Sequence, residues 1–303
     1  MNLKISHKKY ILNSLFLLMV LIYIAIIFYS GSFHKGLHAL YNSDNLYLPT
    51  LFKNIFDEGG NFTDWYLTPA PYIFPDMLVY FIMNYLTQNE FHAMFLFVIT
   101  QMIFVFILMN LIFREFFSSQ KSFLYAIISI TFLYAIPSNL TTILMFTGFH
   151  MGAFISGLAL VYLVVLSIKE SNIYKIKSFI RMSLLISLIV LSDKIFIVQF
   201  VVPTIVTLII MWLMKSISFR KVFIISSVII ISTGLGMLLY DILVTHPITQ
   251  NVSLSTDNIA RNIIRYKSKF YRLYKSNPIL FLCIITYYIY LLIVTFRIIK
   301  QKK

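Results

Sequence analysis

The sequence predicts an all-α, polytopic membrane protein with about eight transmembrane helices, plus amphipathic juxtamembrane helices in the first outer loop. Three observations predict it. The 303 residues are 59% hydrophobic and only 12% charged, with mean hydropathy +0.85, whereas a soluble domain carries roughly 25% charged residues. Apolar runs of membrane length recur along the whole chain. The Lys and Arg gather between alternate runs.

A span needs about 20 apolar residues to cross roughly 30 Å of hydrocarbon. The candidates are 11–29, 92–113, 122–136, 150–168, 195–214, 222–241 and 277–296, with a shorter apolar helix over 181–192 that stops at Ser192, Asp193 and Lys194. The first run is flanked by Lys4, Lys8 and Lys9. It is too long for a signal h-region and lacks a small-residue cleavage site, so it reads as an anchor. Residues 75–87 are apolar but give only about 20 Å of helix, which is too short to span. With Pro75 near the first turn, this segment reads as an interfacial or re-entrant helix. No internal repeat or second soluble domain is visible, so 1–303 reads as a single integral membrane domain. Its first outer loop is 31–91 and its second large outer segment is 242–276.

Charge placement sets the expected orientation. With both termini in the cytoplasm and 75–87 on the outer surface, segments 1–10, 114–121, 169–181, 215–221 and 297–303 lie inside. They hold 16 of the 25 Lys and Arg, and only Glu115 and Glu170 among the acids. That is the positive-inside pattern. The formal charge of +14 is thereby explained by the ends of spans, with no nucleic acid partner. The basic stretch 257–275 stays outside in this arrangement. There Arg261, Arg265, Lys267, Lys269, Arg272 and Lys275 interleave with Ile259, Ile263, Ile264, Phe270 and Leu273. It reads either as an amphipathic helix on anionic headgroups or as cations that hold a lipid-linked phosphate.

The first outer loop concentrates polar chemistry. It carries Asp44, Asp57, Glu58, Asp64 and Asp76, together with His34, His38, Trp65, Pro69, Pro71 and Pro75. Catalytic groups often sit on loops held by a rigid scaffold. Asp44 precedes an amphipathic helix with Leu51, Phe52, Ile55 and Phe56 on one face and Gly59-Gly60 as its stop. Asp44 either caps that helix or, with Pro49 displacing the start, stands clear of it. His34 and His38 share an i, i+4 spacing that a carboxylate such as Asp44 would complete into a divalent-metal site; no metal ligand is assigned. Three Asn-x-Ser/Thr patterns, at Asn61, Asn139 and Asn251, fall on expected outer loops and matter only where such sites are glycosylated.

Farther on, Asp193 and Lys194 punctuate two apolar helices. An ionisable residue at membrane depth is costly and is a functional candidate by default, although an exposed turn or a mutually neutralised pair would also place them there. His150 opens a span between Gly148 and Gly152, as a functional group or an interfacial one. The single cysteine, Cys283, excludes an internal disulfide and reads as a small buried hydrophobe. Gly-rich nucleotide loops, G-x-S-x-G and H-E-x-x-H are absent, so nothing supports nucleotide-driven chemistry.

An early acid after the first span, amphipathic surface helices and the Pro-rich stretch 68–86 together resemble the GT-C class of membrane glycosyltransferases, such as protein O-mannosyltransferases and aminoarabinose transferases. The resemblance covers roughly 1–215 and is one of layout. It implies sugar transfer from a polyprenyl-phosphate donor to a glycan, lipid or protein acceptor on the outer face of a cytoplasmic membrane, bacterial in the expected setting. Asp44 matches the family's early acid and would be the general base. Asp193, Lys194, His150, Trp65, Tyr66, Arg261 and Arg265 would bind donor or substrate, the cations at the departing phosphate and the aromatics at the sugar. A transporter or lipid flippase, or a non-catalytic assembly partner, are the alternatives.

Overall fold

The computed structural model describes residues 45–135, 150–169 and 176–244, with positions 267–268, 271, 274–275, 278 and 281–282 farther on. Asp44, Arg261, Arg265, His34, His38, the run 11–29 and most of 277–296 lie outside them. The chain divides into two units, Met1–Ile248 and Thr249–Lys303. In the second, the described positions are all helical, and the Tyr274 and Phe281 rings meet edge to face at 5.4 Å.

In the first unit the described regular elements are all helical. Helix α1 (Tyr47–Phe52) continues as a π turn over Lys53–Asp57 and stops before Gly59, whose φ of +72° suits a residue without Cβ. Its N-cap position is Leu46, and no side chain caps it. Leu51 and Phe52 are buried as expected. Phe56 is exposed, but its ring still packs on Phe52 at 4.7 Å and edge to face on Phe81 at 5.6 Å. A 3-10 turn (Phe62–Asp64) leads to a kinked segment (Ile73–Met77), in which Phe74 is extended, and to α2 (Leu78–Thr87).

Four longer helices follow: α3 (Glu90–Arg114), α4 (Ser119–Ala135), α5 (Met151–Lys169) and α6 (Ile176–Ser192). The expected run 195–214 is helical throughout its described length to Leu213, with a local change of helix type. It forms a π turn (Ile197–Val201) and then α7 (Val202–Leu213), with Pro203 in the first turn. Helix α8 (Phe219–Leu243) closes the described part. Among these, α3, α5 and α8 are long and apolar enough to cross a membrane. Their exposed faces are apolar too: Ile103, Phe104 and Ile107 on α3, and Ile230, Ile231, Leu238 and Ile242 on α8. Water would not tolerate so much contiguous apolar surface on a monomer. This is a membrane protein.

Two features position the site. First, α6 packs tightly along α8. The Ser187 hydroxyl donates to the Ser232 carbonyl at 3.0 Å, and Ser232 donates to Ser183 at 2.8 Å. A Cβ on Gly236 would lie 2.7 Å from the Ser187 carbonyl oxygen, so the missing side chain sets the approach, as at small-residue membrane interfaces. Second, α2 starts beside the beginning of α5 and returns along α3, with Tyr80 packed edge to face on Phe97 and close to Ala93 and Met94. Met151 at the head of α5 meets α3 later, around Met102 and Val105. Most of α2 therefore pairs with the part of α3 that precedes its contact with α5, which suits a helix too short to cross.

The bundle has a basic end. There Lys169 pairs with Glu115 at 3.1 Å and Lys221 donates to the Ile168 carbonyl at 2.5 Å, joining the ends of α3 and α5 to the start of α8. At the opposite end α5 begins and α6 and α8 finish.

Candidate functional site

Ser192, the buried last residue of α6, assembles that opposite end. Its carbonyl accepts the Tyr72 N–H at 3.1 Å, and its hydroxyl accepts the Phe74 N–H at 2.6 Å while donating to the Leu188 carbonyl at 2.9 Å. These bonds hold the 72–74 segment against the end of α6. Asp76, on the following turn, is delivered next to Asp193. Tyr72 and His150, whose rings pack edge to face at 5.8 Å, both adopt left-handed backbone with φ of 56° and 60°. Bulky residues rarely do so, at a cost of roughly 1–3 kcal/mol each, and such strain clusters at functional sites.

Asp193 is buried, and its Oδ2 lies 2.5 Å from His150 Nδ1. Its Oδ1 accepts the Ile195 N–H at 3.1 Å, which fixes the carboxylate across the chain turn after α6. A carboxylate on Nδ1 sets the tautomer of the neutral ring, leaving Nε2 as the nitrogen for proton exchange with a second group. The hydrogen bond to Asp193 raises the His150 pKa above 6.5; burial opposes this, and the charges of Asp193 and Asp76 reinforce it.

Asp76 completes the cluster. It is buried at 3% exposure, and its carboxylate takes up the Gly152 N–H. A Cβ on Gly152 would stand 2.0 Å from Asp76 Oδ2 and 2.7 Å from Pro75 Cδ. Only glycine admits the acid here. Burial first, and then the charge of Asp193, push the Asp76 carboxyl up to about 7, against the pull of its backbone hydrogen bonds and of His150. A buried acid that exchanges its proton near neutrality beside a carboxylate–histidine dyad is equipped for acid–base chemistry.

The sequence candidates divide accordingly. His150 and Asp193 meet, although 43 residues separate them. Lys194 does not neutralise Asp193: its Nζ sits 3.5 Å over the Tyr240 ring and 3.9 Å from Asp241 Oδ1, on the end of α8. Trp65 donates its indole N–H to Asn54 Oδ1 at 2.8 Å, and Trp65 and Tyr66 line one open depression with Asn54. In the sequence Asp76 is one acid among five in the loop, with nothing to single it out except its place one turn into an otherwise apolar segment, which a cap would mimic. Asp44 directly precedes Asn45, which is fully buried. Tyr47 packs on Tyr72 at 6.3 Å, so the start of α1 adjoins the cluster. Among the described residues, no three His, Cys, Asp or Glu are placed to hold a metal ion.

No family model, curated protein or solved structure matches this chain.

Proposed function

We propose that this protein is a membrane glycosyltransferase that moves a sugar from a polyprenyl-phosphate donor to a hydroxyl acceptor on the side of the membrane opposite its basic end. The observation that carries the reading is the pairing of buried Asp193 with half-buried His150, with Asp76 beside it, gathered by chain segments far apart in sequence. In the reaction, His150 Nε2 takes the acceptor O–H proton as the acceptor oxygen bonds to the sugar anomeric carbon. The anomeric C–O bond to phosphate breaks, and polyprenyl phosphate leaves. Asp193 orients His150 and balances the imidazolium that forms. Lys194 is the cation proposed for the leaving phosphate, and Asp44 the second candidate base.

The arrangement that suits this chemistry has about eight spans and both termini on the cytoplasmic side, because the basic helix ends then face inward. General acid–base catalysis contributes typically about 10²–10⁴-fold. His150→Gln and Asp193→Asn should therefore each lower lipid-linked sugar turnover in proteoliposomes by that order, while Asp44→Asn reports whether Asp44 shares the task. Wild-type turnover in His150→Gln would remove the dyad from the mechanism.

One observation favours a second reading. A buried carboxyl that titrates near 7 also suits a proton-coupled transporter or flippase. Substrate uptake that follows an imposed pH gradient and is abolished by Asp76→Asn, with no sugar transfer, would select it.

A further inference from the structure

The first unit also carries an open depression of about 550 Å³ lined by Asn54, Gly60, Asn61, Asp64, Trp65 and Tyr66. That volume lies within the roughly 300–1,000 Å³ of small-molecule sites. Its floor is built. Asn54 Oδ1 accepts the Trp65 indole N–H at 2.8 Å, while Asn54 Nδ2 donates to Glu58 Oε2 at 3.2 Å. The Gly60 N–H donates to the Asn54 carbonyl at 2.8 Å. A Cβ on Gly60 would fall 2.1 Å from Asn54 Oδ1, so the absence of a side chain gives the Asn54 amide its seat. Behind it, Trp65 packs into the apolar clusters around Leu67 and Leu51. The indole is thus fixed in place before any ligand arrives. Tyr66, next to it, is 70% exposed.

A pyranose ring has an apolar C–H face and a rim of hydroxyls. A fixed aromatic with an exposed tyrosine beside it matches the face. Planar amides and a carboxylate, here Asn54, Asn61 and Asp64, match the rim. Among the described residues that line the depression there is no Lys or Arg, and Asp64 is the one acid, so an anionic sugar meets the repulsion of Asp64.

We infer that this depression is a carbohydrate-binding subsite for an uncharged or amino-bearing pyranose, the acceptor end of the proposed reaction. Its assignment to the acceptor rests on that reaction; the binding does not. The full chain has two tryptophans, so Trp212→Phe leaves Trp65 as the only indole. In detergent-purified Trp212→Phe protein, methyl glucoside, methyl mannoside and methyl glucosaminide should each give a saturable change in Trp65 fluorescence, and methyl glucuronide none. Tyr66→Ala, an exposed position, should weaken binding about tenfold or more, and Asp64→Asn should admit the glucuronide. Saturation-transfer NMR with the same four sugars serves if the indole is spectroscopically silent.

No saturable response to any of the four by either method overturns the inference, as does unchanged affinity in Tyr66→Ala, the result expected of a tyrosine that only anchors in lipid headgroups. Binding without turnover by the wild type would retire the transferase reading and keep the subsite. Turnover without binding would retire the subsite alone.

Discussion

Asp76 carries the clearest pH signature. Its carboxyl is raised from 3.8 to about 7 by burial and by Asp193. Between those values the folded protein holds a proton that the unfolded chain has released, so this group's contribution to stability is present at low pH and lost as pH rises toward 7. His150, raised above 6.5, adds a loss of the same sign at higher pH. Thermal unfolding in detergent should therefore show a midpoint that falls as pH rises through this window, and Asp76→Asn should flatten the fall; an unaltered slope would count against the assignment. Gly152→Ala sets a Cβ 2.0 Å from Asp76 Oδ2. Overpacking of this kind costs about 1–3 kcal/mol, so a lower unfolding midpoint and reduced turnover are expected together. His150 and Asp193 were legible in the sequence because an ionisable group beside an apolar run is conspicuous. Asp76 was not, because nothing local distinguishes an acid that caps a helix from one that a distant glycine makes room for.

Among the described helices, α6 and α8 make the most intimate pair. Gly236 sits where a Cβ would lie 2.7 Å from both the Ser187 carbonyl oxygen and Val190 Cβ. Gly236→Leu should force the helices apart and displace Asp193 at the end of α6. Turnover and unfolding midpoint should both fall, whereas Gly234→Ala, with open space around its Cβ, should leave the midpoint within about 1 kcal/mol of wild type, the helix-propensity scale. Equal midpoints for the two variants would contradict the packing. Element existence was legible from apolar run length, and α3, α5 and α8 fall within a few residues of the expected spans. The helix type was not. The π turns at Lys53–Asp57 and Ile197–Val201 continue their helices and leave no mark on the length of an apolar run.

Among the described residues of the first unit, the acid–histidine cluster and the basic helix ends lie at opposite ends of the helices. Arg114, Lys169 and Lys221 stand where α3 and α5 finish and α8 begins, while Asp76, His150 and Asp193 stand where α5 begins and α6 finishes. The proposed orientation puts the basic end in the cytoplasm. In a Cys283→Ser background, a cysteine at Lys215 should react with a membrane-impermeant maleimide only after the bilayer is opened, and one at Tyr66 without opening; the reverse pattern would invert the assignment. This polarity was legible from the placement of Lys and Arg alone. The convergence of three distant segments on one cluster was not, because apolar periodicity reports which face of a helix is lipid-soluble and leaves its partner unspecified.

The central claim is that Asp193 acts through His150. Its most direct test is a double-substitution cycle on lipid-linked sugar turnover with His150→Gln, Asp193→Asn and the two combined. Residues that work as one unit lose activity non-additively, so the double variant should fall no further than the more damaged single variant. Losses that multiply, or a double variant with wild-type turnover, would contradict the account.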